Sequence, residues 1–247
     1  MPIYLITGAS RGLGLNYAIE LLRSSTKVRV VAAVRDPPNS IELVKVREEF
    51  GEDRVKLIKC DVTREESVKE AVTELESSEF LRTEEGGGID ALLANAGVLG
   101  GGMKPSTQFT REDLDYSLET NLFGVVNSVN GFLPLLRKGG KKQIFVTSSI
   151  VGSIGGPLGQ MAGASAYAIS KAAVNMYSVK LARELAEEGF TVIPFHPGYV
   201  KTDMNGGTNG DLTPQEAGEL ATKNIFLKVE KNDNGKFKNY DGKDLPW

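Results

Sequence analysis

The chain has 247 residues, 40% of them hydrophobic, enough to close one large α/β domain around a substantial core. Its net charge of −3 excludes the strongly basic surface of a nucleic-acid or polyanion binder. A single cysteine, Cys60, excludes an internal disulfide and fits a reducing compartment, and no basic leader or membrane-length apolar run is seen, so a cytoplasmic protein is expected.

Ile3–Thr7 is a short apolar run and reads as a buried strand. It leads into Thr7-Gly8-Ala9-Ser10-Arg11-Gly12-Leu13-Gly14, followed by helical spacing at Leu15, Ala18, Ile19 and Leu22. A strand, a glycine-rich turn and a helix start can make a phosphate site, because glycine lets backbone approach the ligand and first-turn amides face the anion. The spacing is G-x-x-x-G-x-G rather than G-x-G-x-x-G, and simple chain reversal is the alternative. A second strand over residues 27–34 ends at Val34-Arg35-Asp36. In a dinucleotide fold this tip faces the adenosine ribose, where an acid holds a 2′-hydroxyl and an arginine accepts a 2′-phosphate.

Ile41–Phe50 is an amphipathic helix, and 55–60 a third strand with Cys60 as a core residue. Asp61-Val62-Thr63 follows. Asp61 is either a turn residue or a contact for an adenine amino group, and Thr63 with Glu66 forms a capping box. The stretch 84–88 is the nearest to a linker and is too short to separate domains. A fourth strand over 89–94 ends in Asn95-Ala96-Gly97, small residues that suit close approach of backbone to a ligand. Thr110 with Asp113 opens a long helix to about residue 136. Asn121 and Gly124 inside it are poor helix formers and predict a kink or a polar task, whereas Asn127 and Asn130 read as surface polars.

A fifth strand over 143–148 ends in Thr147-Ser148-Ser149. The next helix carries Tyr167 and Lys171 and runs to about residue 188. Four positions are a little over one turn, so both side chains share a face. An ammonium beside a phenol lowers its pKa and makes a proton donor for a carbonyl oxygen, while the bland alternative is a half-buried ring with its lysine in solvent. Residues 190–195 form a sixth strand leading to His196-Pro197-Gly198-Tyr199-Val200-Lys201-Thr202. His196, the only histidine, has no metal or triad pattern around it and is expected to be structural or solvent-facing. Thr213, Pro214 and Glu216 open another helix, and Phe237 with Tyr240 marks a short last strand. Strands alternating with helices predict a doubly wound parallel sheet covered on both faces, with function at the strand carboxyl ends.

The motifs Thr7-Gly8-x-x-x-Gly12-x-Gly14, Asp61-Val62, Asn95-Ala96-Gly97, Asn121, Ser149, Tyr167-x-x-x-Lys171 and Pro197-Gly198, in that order, resemble the short-chain dehydrogenase/reductase family. The resemblance implies one NAD(P)-binding Rossmann-type domain over 1–247, with seven strands and substrate loops near 152–165 and 202–213. It implies a catalytic set of Asn121, Ser149, Tyr167 and Lys171: Tyr as acid/base, Ser orienting the carbonyl, Lys lowering the tyrosine pKa and holding the nicotinamide ribose, and Asn completing a proton relay through water. Implied cofactor contacts are Gly8, Ser10, Arg11, Gly12, Leu13 and Gly14 in the turn, and Arg35, Asp61, Val62, Asn95, Ala96 and Gly97 at the strand tips. Tyr167, Lys171, Pro197, Gly198, Val200 and Thr202 complete them.

Two departures stand out. The gap of 18 from Ser149 to Tyr167 is long, and Ser148, Ser153 and Ser165 are nearby candidates for the serine role. The segment after Thr202 is short and rich in Gly and Asn, suggesting an open substrate site. These features are similar to the branch containing C-factor, sniffer-type carbonyl reductases and norsolorinic acid ketoreductase-like proteins. The expected activity is NADPH-dependent reduction of a small ketone or aldehyde. Alternatives are an alcohol dehydrogenase working oxidatively and a non-catalytic NADP(H) sensor. Arg35 and Arg11 favour NADPH over NADH, with Asp36 as the opposing charge. No metal is expected. For the two long helices two readings stand: a homodimer or homotetramer with Phe123, Val126 and Leu133 as interface positions, or packing of all three on the sheet.

Overall fold

Seven parallel strands in the order 3-2-1-4-5-6-7 form one sheet in the computed structural model, which describes residues 1–82 and 87–247. Most of the predicted linker, 84–86, lies outside the described residues. The strands are β1 Ile3–Thr7, β2 Arg29–Val34, β3 Val55–Lys59, β4 Ala91–Ala94, β5 Gln143–Thr147, β6 Thr191–His196 and β7 Lys238–Asn239. The helices are α1 Gly12–Ser24, α2 Ile41–Phe50, α3 Glu65–Ser77, α4 Arg111–Leu118, α5 Gly124–Lys138, α6 Ser165–Glu184 and α7 Pro214–Ala221. This is the Rossmann-type doubly wound fold, and the strand order reverses between β1 and β4.

The period of two along each strand divides the core into two layers. Ile3 and Leu5 of β1 join one cluster with Val68 of α3, Phe132 of α5 and Val174 of α6. Tyr4 and Ile6 join the other with Leu21 of α1, Leu43 of α2 and Ala221 of α7. Burial on both faces explains why the central strands β1, β4 and β6 are nearly continuous apolar runs, whereas the outer β3 carries Lys56 and Lys59 and β7 is Lys238–Asn239. Among the described residues, no helix is long and apolar enough to cross a membrane.

The predicted caps at Thr110 and Thr213 are both present as reciprocal capping boxes with Asp113 and Glu216. The cap at Thr63 is not. The α3 helix starts two residues later, and the Thr63 hydroxyl donates to Asp61 Oδ1 at 2.8 Å, because the neighbouring carboxylate competes for it. The long helix from 110 is broken by a π-helical turn at Glu119–Phe123, where Asn121 sits. Asn127 is more than a surface polar, since its amide donates to Val62 O at 3.0 Å and ties α5 to the tip of β3. The α6 helix ends at Glu184, one turn before the predicted limit. Of the predicted interface positions, Phe123 is exposed, Val126 half-buried, and Leu133 packs against the core.

Candidate active site

At the reversal point the glycine turn meets the tip of β4. Gly8 has φ +67, and a Cβ there would lie 2.9 Å from Ala96 Cα. A Cβ on Gly14 would collide with Gly8 O and come within 2.7 Å of Asn95 Nδ2. Asn95 braces this approach. Its amide donates to Thr7 O at 3.1 Å and Gly8 O at 3.3 Å, while Thr7 Oγ1 accepts from Asn95 N and Ala96 N. The first turn of α1 has neither an acidic residue nor a side-chain cap from Arg11, so its amides have no side-chain acceptor of their own. Ser10 and Leu13 are half-buried on this turn.

The remaining predicted cofactor residues surround the same end of the sheet. Arg35 is exposed at the tip of β2, just after the buried Val34. Asp36 does not pair with it. Its carboxylate accepts from Asn39 N and from Asn39 Nδ2 at 2.8 Å. Arg11 is exposed and paired at 2.9 Å with Asp203, a partner that no motif or spacing points to. Asp61 is held in its own turn by Thr63, and Val62 is buried in the core with its side chain against Gly124. After β6, Pro197 leads to Gly198, whose φ of +95 and packing against Leu212 and Tyr240 leave no room for a side chain. Val200 is buried and pairs with Leu212, and Thr202 with Asn205 caps the following turn beside Gly12.

The four predicted catalytic residues come from three elements and converge. Ser149 lies just after β5, with its hydroxyl in hydrogen-bonding reach of the Tyr167 phenol. Ser148, Ser153 and Ser165 are occupied elsewhere: Ser148 Oγ donates to Asn175 Oδ1 at 2.5 Å, Ser153 Oγ to Pro246 O at 2.6 Å, and Ser165 Oγ contacts Ser106 Oγ. Lys171 is buried, and its Nζ donates to Thr147 O at 2.7 Å and lies 5.6 Å from the Tyr167 ring centroid. Asn121 is fully buried. Its Oδ1 accepts from Val98 N at 2.8 Å, and its amide donates to Val98 O and Ser170 Oγ at 2.9 Å each. Ser170 in turn donates to Tyr167 O at 2.7 Å. A Cβ on Gly97 would lie 3.2 Å from Asn121 Oδ1 and 3.7 Å from Lys171 Nζ, so both groups border Gly97. Ser170, Thr147 and Val98 are supports that sequence reasoning missed, although Ser170 and Val98 adjoin the motif residues Lys171 and Gly97, and Thr7 is a motif residue whose bracing role the sequence did not show.

One electrostatic expectation is corrected. Lys171 does not bring the phenol below its ordinary value. Burial pushes Tyr167 up to about 12, and the Ser149 hydroxyl opposes this only in part. The same burial pushes Lys171 down to about 8. Both charged forms are desolvated, and the ammonium spends a hydrogen bond on Thr147 O while lying over the ring. His196 is structural as expected. Burial pushes it down to about 4, and Nδ1 has no hydrogen-bond partner among the described residues.

Taken together, the sheet order, the open helix start and the Tyr–Lys–Ser cluster define a Rossmann-type oxidoreductase. The sequence matches the short chain dehydrogenase family over residues 2–213, and the chain belongs to that family. It is 35% identical to an uncharacterized oxidoreductase of Saccharomyces cerevisiae, over 97% of this chain and 95% of that one. Its structure is similar to that of carbonyl reductase Sniffer of D. melanogaster, with TM-score 0.90, 28% identity and full coverage of both chains (100% each). It is also similar to NADPH-bound carbonyl reductase from chicken fatty liver, with TM-score 0.86, 30% identity and 100% coverage of each chain.

Proposed function

We propose that this protein is an NADPH-dependent carbonyl reductase that converts a ketone or aldehyde to an alcohol, with Tyr167 as the acid. The observation that carries the proposal is the convergence of Tyr167 and Ser149 hydroxyls beside a buried Lys171. The residues at the glycine turn fit a dinucleotide: Gly8 and Gly14 leave space only for bare backbone, and the uncapped amides of α1 suit a pyrophosphate. Arg35, with Asp36 turned to Asn39, suits a 2′-phosphate. Arg11 can supply a second cation only by leaving Asp203. Bound there, NADPH would supply the hydride.

The chain's own residues supply the proton and the orientation. The Ser149 hydroxyl donates to the carbonyl oxygen and fixes its position. The Tyr167 phenol gives that oxygen a proton as negative charge develops on it. A phenol held near 12 is protonated at neutral pH, with only about one part in 10⁵ ionised. That state is the one that can give a proton to a carbonyl oxygen. Lys171 keeps most of its proton at neutral pH and places positive charge under the ring as the phenol is depleted of its proton. Asn121 holds Val98 and Ser170 and so fixes the first turn of α6 behind Tyr167.

The test is loss of NADPH absorbance with a panel of aryl ketones and diketones. The expected result is turnover of at least one, faster with NADPH than with NADH. Tight NADPH binding without turnover across a broad panel would leave the sensor reading instead.

A further inference from the structure

The long gap between Ser149 and Tyr167 forms a loop whose first portion is fastened to a distant stretch of chain. Ser153, fully buried, donates from Oγ to Pro246 O at 2.6 Å. Gly155 N donates to Trp247 O at 2.6 Å, and a Cβ on Gly155 would lie 2.8 Å from that oxygen. The stretch that receives these bonds is itself rigidly held. Leu245 N donates to Phe237 O at 2.7 Å, and the Trp247 and Phe237 rings stack at 5.6 Å and 20°. Lys238 Nζ, largely buried, bridges Asp233 at 2.8 Å and Asp244 at 2.6 Å. Lys238 also belongs to β7, which pairs with β6 at Phe195 and His196. A continuous path of bonded groups therefore runs from the sheet, through 237–247, to the loop.

Beyond the fastened portion, the loop presents Ile154, Leu158 and Met161, which are 80%, 40% and 61% exposed. Met103, exposed, lies against Gly163 where the loop returns to α6. Isolated exposed apolar residues are ordinary, but here three fall within eight positions of one loop and a fourth on the segment that meets its end. The loop connects Ser149 to Tyr167 along the chain, so both of its ends adjoin the residues that would meet a carbonyl.

We propose that Asp244–Trp247 is a positioning segment for the substrate site, holding the loop 153–163 so that Ile154, Leu158 and Met161 receive the apolar body of a carbonyl substrate. The proposal rests on the carbonyl-reductase reading. It assigns Ser153 and Trp247 to substrate fit rather than to chemistry or cofactor binding.

The experiment compares wild type with Ser153→Ala, Trp247→Ala and Trp247→Phe, using the aryl ketone that wild type reduces best. Loss of one hydrogen bond or of the ring stack should raise KM by roughly 2- to 13-fold, with kcat and NADPH affinity near wild type. Trp247→Phe keeps a ring on Phe237 and should restore KM. Amide hydrogen exchange over 153–163 should quicken in both alanine variants, with the sheet strands unchanged. Unchanged KM in both alanine variants, or unchanged exchange in the loop, overturns the proposal and leaves the reductase reading intact. A joint fall of kcat, NADPH affinity and thermal stability overturns it as well, since that marks general damage. Failure of wild type to reduce any ketone overturns the reductase reading first and the substrate role with it.

Discussion

Ser148 and Ser149 are adjacent in sequence but do different work in the structure, and alanine at each should separate stability from rate. Ser148 Oγ donates to Asn175 Oδ1 at 2.5 Å, with both residues buried. Ser148→Ala leaves that amide oxygen without its donor, at a cost of roughly 1–3 kcal/mol. For a domain of this size each kcal/mol moves Tm by about 2–4 °C, so the drop should be roughly 2–12 °C. Turnover should remain within a few-fold, since nothing at the phenol is removed. Ser149→Ala should do the reverse. Its Oγ accepts a long bond of 3.4 Å from Val151 N and its hydroxyl reaches the half-buried Tyr167 phenol, so Tm should move less than in Ser148→Ala. Loss of a donor to the developing oxyanion should cut kcat by about 10²–10³. NADPH consumption and a thermal melt on the two variants give the answer. An active Ser149→Ala protein beside an inactive, fully stable Ser148→Ala protein would refute the assignment.

Arg35→Ala should weaken NADPH by about one to two orders of magnitude, for a charge-assisted bond of roughly 1.5–3 kcal/mol, and leave NADH nearly unchanged; equal loss for both cofactors in a binding titration contradicts the 2′-phosphate role. Lys171→Met should lower both the rate and NADPH affinity, and a change in rate alone would rule out the ribose contact. His196 gives a pH signature. Its folded pKa of about 4 lies below the ordinary 6.5, so the unfolded state takes the proton first and stability falls as pH drops from 6.5 towards 4. The loss should reach roughly 2–3 kcal/mol at pH 4.5 by urea unfolding and be absent in His196→Gln; identical acid sensitivity in the two proteins counts against a buried neutral imidazole.

The fold was legible because buried parallel strands leave continuous apolar runs, and the strand limits moved by only one or two residues. The site was legible wherever chemistry imposes spacing along one element. Tyr167 and Lys171 share a helix face, and Gly8, Gly12 and Gly14 mark one turn. Contacts between distant segments left no such trace. Arg11 and Asp203 are 192 positions apart, and Ser153 and Pro246 are 93 apart. Neither pairing follows from residue type. The pKa of Tyr167 was misread for a related reason. The four-residue spacing places an ammonium nearby, but the direction of the shift depends on how much water the fold removes from both groups. The choice between Thr63 capping a helix and bonding Asp61 likewise depended on a loop conformation that two adjacent polar residues leave open.

Delivery of the proton by the Tyr167 phenol is the step on which the proposed chemistry depends. Replacing Tyr167 with Phe keeps the ring packing and removes only the hydroxyl. With a ketone that wild type reduces, single-turnover oxidation of saturating NADPH should slow by about 10²–10⁴ in Tyr167→Phe while NADPH still binds. Retention of most of the wild-type rate by this variant, with NADPH bound, would contradict the assignment.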